Sequence, residues 1–290
     1  MKLLRKFKQA IILKHYGKNK KMLKLESIKS EKIWGYELWI ASTHPNGCQD
    51  DFKKAIGGEY PLLVKIIQAN DTLSIQVHPD DDFAVKLEGS GNCGKTECWY
   101  VLDAAEDAKL VYGIKEGFSN EVLAKAIEEN ALEQYLNFVQ VKKGDFIYIP
   151  AGTVHAIGAG LRLLEVQQSC DLTYRLYDWG RGREVHIEKG LAVIKKDDMI
   201  PVAPFDKHFE CDYFSLDEID IKGGWSMLCP QGSTPKSTQL LYVLAAQNAV
   251  IKASNEKIAS PIKTEEIYAV LPGEKVTVEG SARIMRITAK

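Results

Sequence analysis

No stretch of the 290-residue chain approaches the ~18 to 20 consecutive apolar residues that a membrane-spanning helix needs, so no membrane role is expected. Net charge is nearly absent: 38 basic side chains face 39 acidic ones, leaving −1 and a pI near 6.6. That balance lacks the basic field that nucleic acid or an anionic membrane would select. The six cysteines (Cys48, Cys93, Cys98, Cys170, Cys211, Cys229) contain no CxxC pair and are too sparse for a disulfide framework in a chain of this size. Reduced thiols and a cytoplasmic location are expected. No low-complexity tract occurs, and no histidine follows His208. What is present, 45% hydrophobic and 27% charged residues, suits one large globular domain or two modest ones.

Charge is uneven at the start. Residues 1–21 hold eight Lys/Arg and no acid. Their apolar run, Ala10 to Leu13, is too short for a signal h-region, and no small-residue cleavage site follows it. Strand-like patterning begins at Met22, so residues 1–21 are expected to be a disordered, appended or mis-started leader, with a basic recruitment tail as the alternative.

Leu62 to Val77 gives two β-rich runs around an Asn-Asp turn, the pattern of a hairpin. Further short runs cover Glu97–Leu102, Lys109–Gly113, Asn137–Val141, Asp145–Ile149 and Leu161–Gln167. Their spacing predicts an all-β-dominated fold, a sandwich or barrel with short helices. One helix is expected near Phe118–Asn130, where Ser119 or Asn120 can cap a Val122, Leu123, Ala126, Ile127 stripe, and another over His186–Ile194. The polar, proline-containing stretch after Lys195 predicts a boundary, giving a metal-binding unit over 22–195 and a β-rich C-terminal unit over 196–290. The segment ending VTVEGSARIMRITA alternates as a strand pair would.

The strongest local signal is residues 144–160, GDFIYIPAGTVHAIGAG, in which Gly144, Pro150, Gly152 and His155 follow the spacing of the second cupin motif, with Ala159 where that motif has asparagine. A Pro-Gly turn re-aims the chain so that one histidine points inward. In LSIQVHPDDD, Gln76 and His78 are two apart on a strand and share a face. Lys95 and Glu97 have the same relation. Gln76, His78, Glu97 and His155 form a mixed O/N donor set suited to a borderline divalent ion such as Zn²⁺. Taken singly, Gln76 could be a surface amide, Glu97 a partner for Lys95, and Asp80-Asp81-Asp82 a solvated turn.

The motifs QVHPDD, GKTE, PAGTVHAIG and TYRLYDWGR, in this order, resemble the type I mannose-6-phosphate isomerases, in particular the short bacterial form, over roughly Ile33 to Ile194. The resemblance implies a cupin (jelly-roll) barrel and one zinc per chain on Gln76, His78, Glu97 and His155, while YAVLPGEKV, residues 268–276, is reminiscent of the YIPAG turn and marks the C-terminal part as a second, degenerate cupin-like β-domain. The resemblance also implies catalytic roles for Arg175 and Lys95 and substrate contacts from Lys65 and Ser74, which the predicted hairpin would set face to face. The expected partner is a small sugar phosphate, mannose 6-phosphate interconverting with fructose 6-phosphate through a cis-enediol. Lys95 beside a cation is expected to titrate low enough for acid/base work. The base itself stays open among Lys95, Glu165 and a metal-bound water. The longer members' helical insertion is absent, so any pocket wall it builds would have to come from the Phe118–Asn130 helix. Two alternatives remain: a non-haem Fe(II) cupin dioxygenase using His78, His155 and Glu97, and a non-catalytic sugar-phosphate-binding cupin.

Overall fold

Short β-branched and aromatic runs punctuated by Gly, Pro, Asn and Asp favour strands over helices along most of the chain. A computed structural model describes residues 21–195, 199–232 and 235–290. The expected leader, apart from Lys21, lies outside the described residues. In chain order the strands are β1 (Met22–Leu25), β2 (Ile28–Lys32), β3 (Gly35–Ala41), β4 (Leu62–Ala69), β5 (Ile75–Val77), β6 (Glu97–Ala104), β7 (Lys109–Ile114), β8 (Leu136–Gln140), β9 (Asp145–Ile149) and β10 (His155–Ile157). They continue as β11 (Leu161–Gln168), β12 (Tyr174–Tyr177), β13 (Ala203–Pro204), β14 (His208–Glu210), β15 (Phe214–Leu228), β16 (Gln239–Ala253), β17 (Ser260–Pro261), β18 (Ile267–Val270) and β19 (Lys275–Ala289). The α-helices are α1 (Asp50–Ile56), α2 (Asp81–Glu88), α3 (Asn120–Glu128) and α4 (Ile187–Val193).

Three antiparallel sheets result among the described residues. The first runs β13-β9-β6-β11-β4-β3-β2, the second β12-β5-β10-β7-β8, and the third β1-β18-β16-β19-β15-β14 with β17 beside β16. The architecture is mostly β, as expected, with open rather than hydrogen-bond-closed sheets. Apolar residues on both faces of the first sheet explain its position in the middle. On β4, Val64 and Ile66 join a core shared with Phe214, Leu240, Tyr242 and Ile287 of the third sheet. Ile67 and Ala69 instead join Leu110, Tyr112 and Ile157 of the second sheet. The outer face of the second sheet is covered by α3 and α4 through Leu123, Ile127 and Val193.

Several expectations change here. Leu62–Val77 is not a hairpin: β4 lies in the first sheet and β5 in the second. The chain turns the corner because Asn70 and Asp71 donate to the Trp34 carbonyl while Leu73 donates to Ile157. Lys65 and Ser74 therefore belong to facing sheets and are not cross-strand partners. The Asp80–Asp82 run is no solvated turn but the start of α2, with Asp80 accepting from Phe83 N at 2.9 Å and Asp81 and Asp82 in the first turn. Helix α3, capped by Ser119, packs on the far face of the second sheet and lines none of the cavity that opens between the first and second sheets. The C-terminal segment is one 15-residue strand and not a strand pair. Gly280 lets it pass β16, because a Cβ there would lie 2.2 Å from the Asn248 carbonyl oxygen.

The units also exchange strands. Met22–Leu25 pairs with β18 in the third sheet, and Ala203–Pro204 pairs with β9 in the first. Arg162 of β11 reaches Glu265, before β18, with Nε at 2.8 Å and Nη2 at 2.6 Å.

Candidate active site and metal centre

Strand alternation places the site between the first two sheets. On β6 and β11, Cys98, Tyr100, Leu164 and Val166 point to the third sheet, so Glu97, Trp99 and Glu165 point to the second. Lys65 stands opposite Glu165 in register, and Glu165 opposite Trp99. On the second sheet Gln76 pairs with His155 on one side and Arg175 on the other, forming a row across three strands. A cavity of about 380 Å³ is lined by Lys65, Ser74, Gln76, Lys95, Glu165 and Arg175, among others. All eight residues singled out from the sequence thus lie at this cavity or directly behind it.

His78, Glu97 and His155 are buried and bring one donor atom each within 4.8 Å of one another. His78 Nδ1 lies 2.9 Å from the Leu172 carbonyl oxygen and His155 Nδ1 2.8 Å from that of Thr153. A carbonyl only accepts, so both Nδ1 atoms carry the proton and both Nε2 lone pairs face inward. His155 Nε2 is 3.3 Å from Glu97 Oε1, and His78 Nε2 is 3.8 Å from Glu97 Oε2. Neither His155 Nε2 nor Glu97 Oε1 has a hydrogen-bond partner among the described residues. Buried polar atoms left unpaired are costly, and donors around a tetrahedral Zn²⁺ with ~2.05 Å bonds are about 3.3 Å apart. The cluster fits a divalent cation. Gln76, opposite His155, borders the same cavity.

Burial sets the charge states in the metal-free chain. It holds the His78 imidazole well below its usual range, helped by Lys95 and His155, and lowers His155 to about 4. Both are neutral at neutral pH. Burial and the neighbouring Glu165 charge push the Glu97 carboxyl up to about 7 against the pull of Lys95, the strain that a bound cation relieves. Lys95 Nζ is 2.8 Å from Glu97 Oε2 and 3.2 Å from His78 Nε2. Burial acts to lower the Lys95 pKa, but Glu97 and Glu165 outweigh it and hold the ammonium above its ordinary value. The low titration expected beside a cation is therefore not a property of the bare protein, whose two carboxylates favour the charged form.

Glu165, raised in the sequence only as one of three candidate bases, is central. Its Oε1 is 3.1 Å from Lys65 Nζ and its Oε2 accepts from Trp99 Nε1 at 2.9 Å. Burial would raise its pKa, yet Lys65 and Lys95 together bring it down to about 2, so it stays ionised. Arg175 donates Nε to Ser74 Oγ at 3.3 Å and Nη1 to the Glu184 carbonyl at 2.8 Å. Arg175 forms no salt bridge with Asp178 or Asp171. Asp178 is taken by Arg181 and Arg183, and Asp171 by Asn46 and His44. Trp34, Trp39 and Arg183 also line the cavity. Sequence reasoning missed all three, although a lone carboxylate in the apolar run Leu163–Val166 was a usable sign for Glu165.

Residues 39–93 match the family profile described as phosphomannose isomerase type I, catalytic domain. The mannose-6-phosphate isomerase ManA of Bacillus subtilis is 39% identical over 212 residues, which is 66% of this chain and 63% of ManA, so the match spans less than two thirds of that relative. The probable mannose-6-phosphate isomerase GmuF of the same organism is 34% identical over 252 residues, 69% of this chain and 79% of GmuF. The chain belongs to the type I phosphomannose isomerase family. A crystal structure of the Bacillus subtilis mannose 6-phosphate isomerase superposes with a TM-score of 0.79 and 26% identity, covering 92% of this chain and 99% of that one. The cupin class expected from Gly144–His155 accords with that neighbour. In this family member, the motifs around His78, Glu97, His155 and Arg175 all converge on the space between the first and second sheets.

Proposed function

We propose that the chain is a zinc-dependent aldose-ketose isomerase that interconverts mannose 6-phosphate and fructose 6-phosphate through a cis-enediol. The supporting observation is the buried His78, Glu97, His155 donor set, with unpaired atoms facing inward, beside an ionised Glu165. Zinc held by these residues and Gln76 would supply Lewis-acid polarisation of the sugar carbonyl. Glu165, fixed by Lys65 and Trp99, is the side chain placed to take the proton from C2 of the open-chain aldose and return it to C1. In the same step the C2 hydroxyl proton is transferred to O1, so the aldehyde becomes a hydroxymethyl group and C2 a ketone. Lys95 donates toward the sugar oxygens, and Arg175 steadies the negative charge of the enediolate. Lys65 and Ser74 contact substrate from facing sheets. Residues 22–195 form the catalytic unit and 196–290 a structural one that covers the back of the first sheet, in a cytoplasmic enzyme.

The test is isomerisation in deuterated water. Side-chain proton transfer leaves deuterium at C1 of the ketose or C2 of the aldose, because the carboxyl proton can exchange before it returns. Product with no solvent deuterium would contradict the Glu165 role. Oxygen uptake by the iron-loaded protein would instead support the dioxygenase that the His-Glu-His arrangement could also serve.

A further inference from the structure

Two guanidiniums, Arg181 and Arg183, hold one buried carboxylate beside the cavity, and a third, Arg175, lines it. Asp178, 4% exposed, lies just after β12. Its Oδ1 accepts from Arg181 Nη2 at 2.8 Å and Arg183 Nη2 at 2.5 Å, and its Oδ2 accepts from Arg183 Nε at 2.7 Å. Arg181 also donates Nε to the Asp178 carbonyl and sets Nη1 3.6 Å from Asp71, so its fork is committed. Arg183 differs. One edge of its guanidinium is bound to Asp178, while Nη1 has no partner among the described residues. Arg183 and Arg175 both line the cavity, and Arg175 has no carboxylate partner among the described residues.

At this end Arg175 stands without an ion pair among the described residues, whereas the inner cations are each paired. There, Lys65 is paired with Glu165 at 3.1 Å and Lys95 with Glu97 at 2.8 Å. After burial, the charges of Arg183 and Arg181 contribute to lowering the Arg175 pKa against the pull of Asp178 and Glu184. Arginine held along one edge and free along the other is pre-organised for a phosphate, since its fork matches two oxygens and little rotamer entropy remains to be lost.

We propose that Arg183, seated by Asp178, grips the phosphate of the sugar-phosphate substrate at the outer end of the cavity, with Asp178 as its positioning residue. This rests on the isomerase reading for the identity of the substrate but not for the anion site itself. The division of labour follows from the contacts: the paired inner lysines meet the sugar, and the outer guanidinium edge that Asp178 leaves free meets the dianion.

The test uses metal-loaded Arg183→Gln, Arg183→Lys and Asp178→Asn proteins, each checked for metal content and melting temperature. Losing a charge-assisted contact made equally in ground and transition states should raise KM for mannose 6-phosphate about 10- to 100-fold in Arg183→Gln while kcat stays within about threefold. Inhibition by inorganic phosphate should weaken in parallel, and Arg183→Lys should fall between. Asp178→Asn should raise KM in the wild-type background and add little to Arg183→Gln, which a merely structural role would not produce. An active wild type with unchanged KM in Arg183→Gln, or one losing kcat alone, would overturn the assignment while leaving the isomerase reading intact. If the wild type isomerises no hexose phosphate, calorimetry with inorganic phosphate decides. Binding that depends on Arg183 keeps the anion site and removes the isomerase reading, whereas binding indifferent to Arg183 removes the anion site.

Discussion

Replacing Trp99 by phenylalanine probes the dry, charged interior on which the site depends. Trp99 is fully buried, donates Nε1 to Glu165 Oε2 at 2.9 Å and stands edge-on to His155 with ring centroids 5.4 Å apart. The substitution removes a hydrogen bond to a charged acceptor, worth about 1.5–3 kcal/mol. The smaller ring leaves unfilled space between the first two sheets, adding ~1 kcal/mol. The expected loss is about 3 kcal/mol, which for a chain of this size lowers the melting temperature by roughly 5–10 °C. Urea and thermal unfolding of the metal-loaded protein measure it. The loss should shrink in a Glu165→Gln background, where the carboxylate charge is gone. A loss below about 1 kcal/mol, unchanged in that background, would mean that Glu165 is hydrated and that the facing sheets do not enclose a low-dielectric site.

Other outcomes follow from the same geometry. Metal-free protein should lose stability as pH falls from about 6.5 toward 4: the depressed pKa values of His78 and His155 give stability that is present above the unfolded value and lost on acidification. Glu97, raised to about 7, opposes this over the same range, because its contribution is present at low pH and lost as pH rises through 7. Two imidazoles against one carboxylate leave a net slope of ~1.4 kcal/mol per pH unit, and denaturation at pH 7.5 and 5 should show the lower stability at pH 5. Arg175→Ala should lower kcat and kcat/KM together by about 10²-fold with the ion retained, read by steady-state kinetics and elemental analysis. Asp80→Ala should cost ~1 kcal/mol in unfolding experiments, through loss of the Phe83 N cap. Gly152→Ala should destabilise more, because φ is +96° and a Cβ would lie 2.7–2.9 Å from Lys195 and Val193.

Much of this site was legible because its chemistry repeats the strand period. Gln76 and His78 flank Val77, Lys95 and Glu97 flank Thr96, and Gly144–Pro150–Gly152–His155 marks a turn that needs those backbones. Local spacing cannot say which strand pairs with which. The Asn-Asp turn at 70–71 reads equally well as a hairpin or as a corner between sheets, and only the Trp34 and Ile157 carbonyls decide it. Asp80–Asp82 looked like a solvated turn because a single helix turn's worth of acid is also a capping signal. Glu165 and Arg183 acquire meaning from partners 100 and 5 residues away, Lys65 and Asp178, and only the first lies beyond local inspection. Arg183 was missed because the short, glycine-rich segment after Tyr177 carries no periodicity to assign a face.

The most direct test of the central claim is a coupled assay of purified protein with mannose 6-phosphate, before and after removal of divalent metal by a chelator and again after adding zinc back. The expected result is fructose 6-phosphate formation that is lost with the metal, restored by zinc, and not restored in His78→Ala or His155→Ala protein. Turnover that persists with metal analysis at zero, or no turnover of mannose 6-phosphate by fully zinc-loaded wild type, would contradict it.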